Sequence, residues 1–184
     1  MVQPYRMFGR LGNQMFQYAT LIALAKETDE NFYFQDVKWF QKHEALVKQY
    51  FSNGISKREE VSIHVRRGDY LDFDHIYKNL AKTDYYKRAI EEFPTGTKFI
   101  VFSDDIAWCK NYPPFQGSNF EFSEGLDEVD DLNKMASCHH NILANSTFSW
   151  WAAYLNKHDD KIVICPKQEF WVNNISLLDK WNQI

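Results

Sequence analysis

From residue 61 to residue 165 the sequence alternates between short apolar runs and capped, helix-like segments. Strands are predicted at 61–65, 98–102, 120–122, 141–144 and 161–165, and helices between them at 83–93, 105–111, 127–137 and 147–155. This alternation favours parallel βαβ units. It therefore predicts an α/β fold with a Rossmann-like sheet, whose ligand site lies at the carboxyl ends of the strands.

The segment before this alternation follows a different pattern. A helix is predicted at 16–26, a short strand at 31–34, and a second helix that Asp36 can cap. A chain of 184 residues suffices for one complete domain and a fraction of another. We therefore expect a reduced N-terminal domain over 1–56 and a complete βα domain over 57–184.

Charge and hydropathy exclude several functional classes. The formal net charge of −4 argues against nucleic acid as a partner. No apolar run approaches the roughly 20 residues of a membrane span, and the first nine residues are too short and polar for a signal peptide. The three cysteines are far apart, which is typical of reduced structural thiols and favours a cytoplasmic location.

The predicted strand at 61–65 ends in a cluster of basic side chains. His64 and Arg66 fall on the same side of the chain by strand alternation, and Arg67 follows directly. Two guanidinium groups at the mouth of a parallel sheet form a bidentate anchor for a diphosphate. The alternative is that both arginines form surface salt bridges with nearby acids.

Polar residues also follow two other predicted strands. The carboxylates of Asp104 and Asp105 are suited to ribose hydroxyls or a guanine edge, with a cap on the following helix as the alternative for Asp105. Asn145, Ser146 and Thr147 precede a helix whose free N–H groups suit a phosphate, with an ordinary N-cap as the alternative.

Metal-binding patterns are weak in this sequence. Asp72 and Asp74 have the spacing that some glycosyltransferases use for a divalent cation, but two fixed positions carry little information in so acidic a chain. Cys138, His139 and His140 are adjacent, and neighbouring residues on a strand point to opposite faces. We therefore expect no metal.

Four blocks of the sequence, in this order, resemble the α1,2-fucosyltransferases of glycosyltransferase family 11. They are GRLGNQMFQYA at 9–19, HVRRGDY at 64–70, FSDDIAW at 102–108 and HNILANSTFSWW at 140–151. The resemblance implies a GT-B-like enzyme that uses GDP-β-L-fucose, inverts the anomeric carbon and needs no metal. It implies transfer to a glycan acceptor, with the 2-hydroxyl of a galactoside as the expected position.

The resemblance also implies roles for individual residues. Arg66 and Arg67 would hold the pyrophosphate and neutralise the departing GDP. Asp69 is a candidate general base, although its place in the motif suits a structural ion pair equally well. The remaining donor-binding residues implied by the motifs are His64, Asp104, Asp105, Asn145, Ser146, Thr147, Asn13 and Gln14.

One departure from the family pattern leaves a second function open. Family members carry a longer stretch between the first and second blocks, which fills an acceptor-binding domain. A chain with a shortened acceptor half could bind GDP or GDP-fucose without transferring the sugar. The shortened half could also expose apolar surface, which a second copy of the chain would cover.

Overall fold

A six-stranded parallel sheet forms the centre of the computed structural model, which describes residues 9–26, 43–52, 55–73, 75–172 and 175–184. The strands are β1 (Val61–Val65), β2 (Phe99–Ser103), β3 (Phe120–Phe122), β4 (His140–Ile142), β5 (Val163–Cys165) and β6 (Asn182–Gln183). Their spatial order is β3-β2-β1-β4-β5-β6, and every neighbouring pair is parallel. This doubly wound order reverses between β1 and β4, which is where such folds bind ligands. The predicted α/β, Rossmann-like sheet is confirmed.

The described residues form six α-helices beside the sheet. They are α1 (Leu11–Lys26), α2 (Glu44–Phe51), α3 (Tyr85–Glu91), α4 (Ile106–Cys109), α5 (Glu128–Ser137) and α6 (Thr147–Leu155). The bounds of α6 are those predicted, whereas α1 begins five residues earlier than predicted and β4 one residue earlier. The strand predicted at 31–34 and the Asp36 cap lie outside the described residues.

The two faces of the sheet carry separate hydrophobic cores. On one face α1 packs against α6: the Phe16 ring lies 4.8 Å from Trp150 and 4.9 Å from Trp151, centroid to centroid. All three side chains are fully buried. Tilted aromatic pairs at this distance add about 0.5–1.5 kcal/mol each beyond their burial. On the opposite face Tyr85 and Tyr86 of α3 pack under β1 and β2.

The helices that precede residue 57 share the core of the sheet. Phe16 of α1 and Val47 of α2 belong to the same buried cluster as Trp150 and Trp151. This packing places the N-terminus of α1 beside the sheet. The division of the chain at residues 56 and 57 stays a prediction.

The cysteines and the helices bear on two further expectations. Cys109, Cys138 and Cys165 are free and buried, and burial raises the pKa of their thiols to about 11, 12 and 12 respectively. They are therefore unreactive structural thiols, as predicted. None of the helices formed by the described residues is both long and apolar enough to cross a bilayer. Cytoplasmic location and self-association stay predictions.

Candidate functional site

A cavity of about 390 Å³ opens at the carboxyl ends of β1, β2 and β4. Its volume lies within the range of small-molecule sites. Eight of the predicted site residues line it: Asn13, His64, Arg66, Asp69, Asp104, Asn145, Ser146 and Thr147. Blocks of sequence more than 130 residues apart therefore meet around one space, at the point where the strand order reverses.

Two helix N-termini meet at the wall of this cavity. A Cβ atom on Gly12 would lie 2.6 Å from the backbone nitrogen of Phe148 and from Oγ1 of Thr147, so only glycine permits this approach of α1 to α6. The Thr147 hydroxyl donates to Asn13 Oδ1 at 2.9 Å and joins the two first turns. Neither first turn contains an acidic residue. The positive ends of both helix dipoles are therefore available to an anion.

Arg66 supplies a cation at the same wall. Its side chain is 10% exposed and bonds to the carboxylates of Asp69 and Asp104. The guanidinium also lies 5.2 Å from the centroid of the Tyr70 ring. Asp104 is fixed in turn, because its Oδ1 accepts the backbone N–H of Arg67 at 2.9 Å. Two carboxylates and a ring thus hold this guanidinium at the edge of the cavity.

Three predicted residues lie outside the described lining of the cavity: Arg67, Asp105 and Gln14. The Nε of Arg67 donates to Asp105 Oδ2 at 3.0 Å, and its guanidinium lies 3.7 Å from the Trp108 ring centroid. Asp105 Oδ1 also accepts the N–H of Trp108 and caps α4. Arg67 thus forms the salt bridge, and Asp105 the helix cap, that were predicted as alternatives to nucleotide contacts. Gln14 donates its amide to the carbonyl of Gly9 at 2.8 Å.

His64 is buried in the cavity wall, with 5% of its surface exposed. Burial, with a smaller contribution from Arg66, lowers its pKa to about 3. The imidazole is therefore neutral at physiological pH. Its Nδ1 has no hydrogen-bond partner among the described residues.

The neutral state of His64 predicts a pH dependence of stability. The folded-state pKa lies below the unfolded value near 6.5, so the unfolded chain binds the extra proton first and stability falls as the pH drops below 6.5. Between pH 7 and pH 5 we expect wild type to lose about 2 kcal/mol more than His64→Gln, measured by urea unfolding. His75→Gln, which alters an exposed histidine, should follow wild type. Equal losses in wild type and His64→Gln would contradict the assignment.

The connection between β4 and α6 is held mainly by hydrogen bonds within the protein. The amide of buried Asn145 donates to the carbonyls of Lys78 and Phe170 at 3.0 and 2.9 Å. The Tyr70 hydroxyl donates to the carbonyl of Asn145 at 3.0 Å. Ser146 caps α6 by accepting the N–H of Phe148 at 3.3 Å. The loop is thereby fixed before any ligand binds.

Several lining residues carry no prediction from the sequence. Tyr70 and Tyr77 stack with ring centroids 4.0 Å apart, and both line the cavity. Asp131 of α5 also lines it, and burial raises the pKa of its carboxyl group. Arg10 lies at the rim, with its Nε 3.9 Å from Asp69 Oδ2. Tyr70 and Arg10 belong to two of the four sequence blocks, which is a signal; Tyr77 and Asp131 have none.

Only part of the metal pattern at residues 72–74 falls among the described residues. Asp72 is exposed and is not among the described residues that line the cavity. Asp74 lies outside the described residues, so the pattern stays a sequence match.

Comparison of the sequence with known proteins identifies the family of this chain. The model for glycosyl transferase family 11 matches residues 25–184. The chain belongs to glycosyl transferase family 11. The family assignment predicted from the four sequence blocks is thereby confirmed.

The family 11 chain resembles both bacterial and mammalian proteins. It is 40% identical over 129 residues to the O-antigen biosynthesis glycosyltransferase WbnK of Escherichia coli, covering 65% of this chain and 43% of that protein. It is 31% identical over 176 residues to an alpha-1,2-colitosyltransferase of Escherichia coli, covering 83% and 61%. With the galactoside 2-alpha-L-fucosyltransferase Sec1 of Mus musculus it shares 30% over 127 residues, covering 65% and 34%.

These alignments span less than two thirds of each relative. No solved structure matches the family 11 chain.

Proposed function

We propose that this chain transfers L-fucose from GDP-β-L-fucose to a glycan hydroxyl with inversion, and that the acceptor position is the 2-hydroxyl of a galactoside. The observation that carries the proposal is the meeting of two helix N-termini and Arg66 around one cavity in a family 11 chain. The names of two relatives, an alpha-1,2-colitosyltransferase and a galactoside 2-alpha-L-fucosyltransferase, support the linkage and the acceptor position.

The diphosphate of the donor would bind between α1, α6 and Arg66. Negative charge grows on the leaving diphosphate while the sugar takes on oxocarbenium character, so donors fixed before the reaction lower the barrier most. The first turns of both helices and the guanidinium are held in place by Asn13, Thr147, Asp69 and Asp104. A diphosphate would displace one of the two carboxylates from Arg66, or it would share the guanidinium with them. This arrangement can stabilise the leaving group without a metal.

The nucleoside contacts fall to the residues that line the cavity. The Asp104 carboxylate is suited to accept hydrogen bonds from ribose or guanine. The neutral ring of His64 can form a hydrogen bond to GDP-fucose through Nδ1. Arg67 and Asp105 pair with each other outside the lining, which supports a role in shaping the loop after β1. Gln14 similarly supports the turn at Gly9.

Two carboxylates can serve as the general base for the acceptor hydroxyl. Asp69 lies in the wall, but its Oδ1 is occupied by the ion pair with Arg66. Asp131 accepts a hydrogen bond from the Ser123 hydroxyl at 2.7 Å, and burial raises the pKa of its carboxyl group above the ordinary value, as suits a general base. The base is the residue whose amide variant (Asp69→Asn or Asp131→Asn) loses transfer while keeping affinity for GDP.

We place this site in a GT-B arrangement, with 57–184 as the donor domain and 1–56 on the acceptor side. The parallel sheet with its cavity at the β1–β4 reversal supports the first assignment. The insertion of the α1 N-terminus into the cavity wall supports the second, because it brings the acceptor-side segment to the donor.

The proposal is tested by measuring GDP affinity and sugar transfer on the same protein. We expect micromolar binding of GDP by calorimetry and transfer from GDP-fucose to a β-galactoside, both unchanged in excess EDTA. GDP binding without turnover on a broad acceptor panel would favour the alternative of a GDP-binding protein. Loss of transfer in EDTA would favour a metal-dependent enzyme, and absence of GDP binding would overturn the proposal.

A further inference from the structure

A cluster of metal-ligating side chains lies at the amino ends of β4 and β5, at the opposite edge of the sheet from the cavity. Among the described residues, His139, His158 and Asp160 bring one ligand atom each to within 4.8 Å of one another. His139 directly precedes β4, and the other two lie in the connection between α6 and β5. The proposed transfer reaction does not use these three side chains, and none of them lines the cavity as described.

We propose that His139, His158 and Asp160 bind a divalent transition-metal ion such as Zn²⁺. Two imidazoles and a carboxylate are a common protein ligand set for zinc, and water completes the coordination. In a tetrahedral site the ligand atoms lie about 3.3 Å apart. His139 Nε2 and Asp160 Oδ1 are already 2.9 Å apart. The side chain of Asp160 is 76% exposed and free to move, and the other ligand atoms, within 4.8 Å, must approach one another as the imidazole rings rotate.

The tautomer of His158 suits metal binding. Its ring is buried, and Nε2 lies 3.3 Å from the carbonyl oxygen of Ser137. A carbonyl can only accept, so Nε2 carries the proton and Nδ1 keeps its lone pair. Donation of the second ring nitrogen to a backbone carbonyl is the usual way in which a protein orients a metal-binding histidine.

His139 would reach the corresponding arrangement when the metal ion replaces the proton that its Nε2 now donates to Asp160 at 2.9 Å. With Nε2 directed at Asp160, its Nδ1 lies 3.6 Å from Oε2 of Glu59. Glu59 is exposed and needs only a small movement to accept this N–H. A carboxylate behind a histidine that binds a metal fixes the ring and raises its basicity. Glu59 lies just before β1, so the site would connect the amino ends of β1, β4 and β5.

A buried amide fixes the backbone at both histidines before a metal binds. The two rings stack with centroids 4.4 Å apart, so metal binding requires a ring to rotate until both nitrogens face the ion. The Nδ2 group of Asn156 donates to the carbonyls of Cys138 and His139 at 2.7 and 3.2 Å. Its Oδ1 accepts the backbone N–H of His158 at 2.8 Å. Cys138 itself is not a ligand, because its Sγ donates to the carbonyl of Lys134 at 3.4 Å. The site therefore differs from the adjacent Cys138, His139 and His140 trio that the sequence argues against.

Metal binding is tested by titrating Zn²⁺ into the full chain, freed of any affinity tag and stripped with chelator. We expect saturable 1:1 binding by calorimetry and a Zn²⁺-dependent rise in Tm. Asp160→Asn should weaken binding at least tenfold and abolish the rise, whereas Asp159→Asn removes the same charge from the neighbouring exposed residue and should match wild type. His158→Gln should weaken binding similarly.

The outcomes separate clearly. Since Asp160 is exposed, its variant is expected to fold even if His158→Gln does not, and Asp160→Asn then decides alone. Absence of saturable Zn²⁺ binding in wild type, or equal affinity in Asp160→Asn and wild type, overturns the proposal. GDP binding does not enter the readout, so the result is independent of the proposed transferase activity.

Discussion

Arg66→Ala should reduce the rate of fucosyl transfer by about 10²–10³-fold, because removal of one fixed donor to a developing oxyanion costs about 2.7–4 kcal/mol. The variant also leaves Asp69 and Asp104 without their shared cation at the cavity wall. These carboxylates would then repel the diphosphate, so affinity for GDP should fall together with the rate. Steady-state kinetics and calorimetry with GDP measure the two effects.

Controls distinguish a specific role of Arg66 from a general loss of charge or fold. Arg88→Ala removes an exposed arginine from α3 and should leave both measurements unchanged. Arg66→Lys keeps the charge but loses the two-pronged contact with Asp69 and Asp104, so it should fall between wild type and Arg66→Ala. Unchanged affinity for GDP in a folded Arg66→Ala would refute the diphosphate assignment.

Gly12→Ala should weaken GDP binding by about thirtyfold, the equivalent of the ~2 kcal/mol that a well-placed helix terminus contributes to binding a charge. The added methyl group would lie 2.6 Å from the backbone nitrogen of Phe148, and a backbone atom cannot swing aside. The first turn of α1 must therefore move away from α6. Such overpacking costs about 1–3 kcal/mol of stability. Calorimetry with GDP and urea unfolding measure the two losses.

The matched control is another glycine. Gly96 has a φ of 89° and no atom within 4 Å of its missing Cβ, so Gly96→Ala introduces backbone strain without a collision. It should lose about 1 kcal/mol of stability and keep its affinity for GDP. If Gly12→Ala binds GDP as tightly as Gly96→Ala does, the meeting of the two helix termini has no part in binding.

Local patterns were sufficient to predict most of the sheet and its helices. The helix α6 is a clear case, since Ser146 caps a continuous apolar segment that ends before Asn156. β6 escaped prediction because it has two exposed polar residues and no alternation. The start of α1 was also missed, since Gly12 and Asn13 are weak helix formers whose place is set by packing on α6.

The candidate site was harder to predict because its residues follow the strands. Beyond a strand end, side chains no longer alternate between the two faces of the sheet. Arg67 has φ −128° and ψ −72°, outside the strand conformation, so its position in the sequence carried no information about its direction. The residue pairs with Asp105 and stacks on Trp108 instead of lining the cavity. Asp131 was missed for a different reason. The acidic first turn of α5 had a sufficient explanation in the helix dipole.

The contact between α1 and α6 has a consequence for protein engineering. Phe16 anchors α1 among the α6 tryptophans, and four residues earlier Gly12 touches the start of α6. A chimera that exchanges everything before β1 with a relative would therefore replace half of the proposed diphosphate-binding wall along with the segment proposed to face the acceptor. Grafts intended to change acceptor choice should begin after α1, so that this helix keeps its native packing against α6.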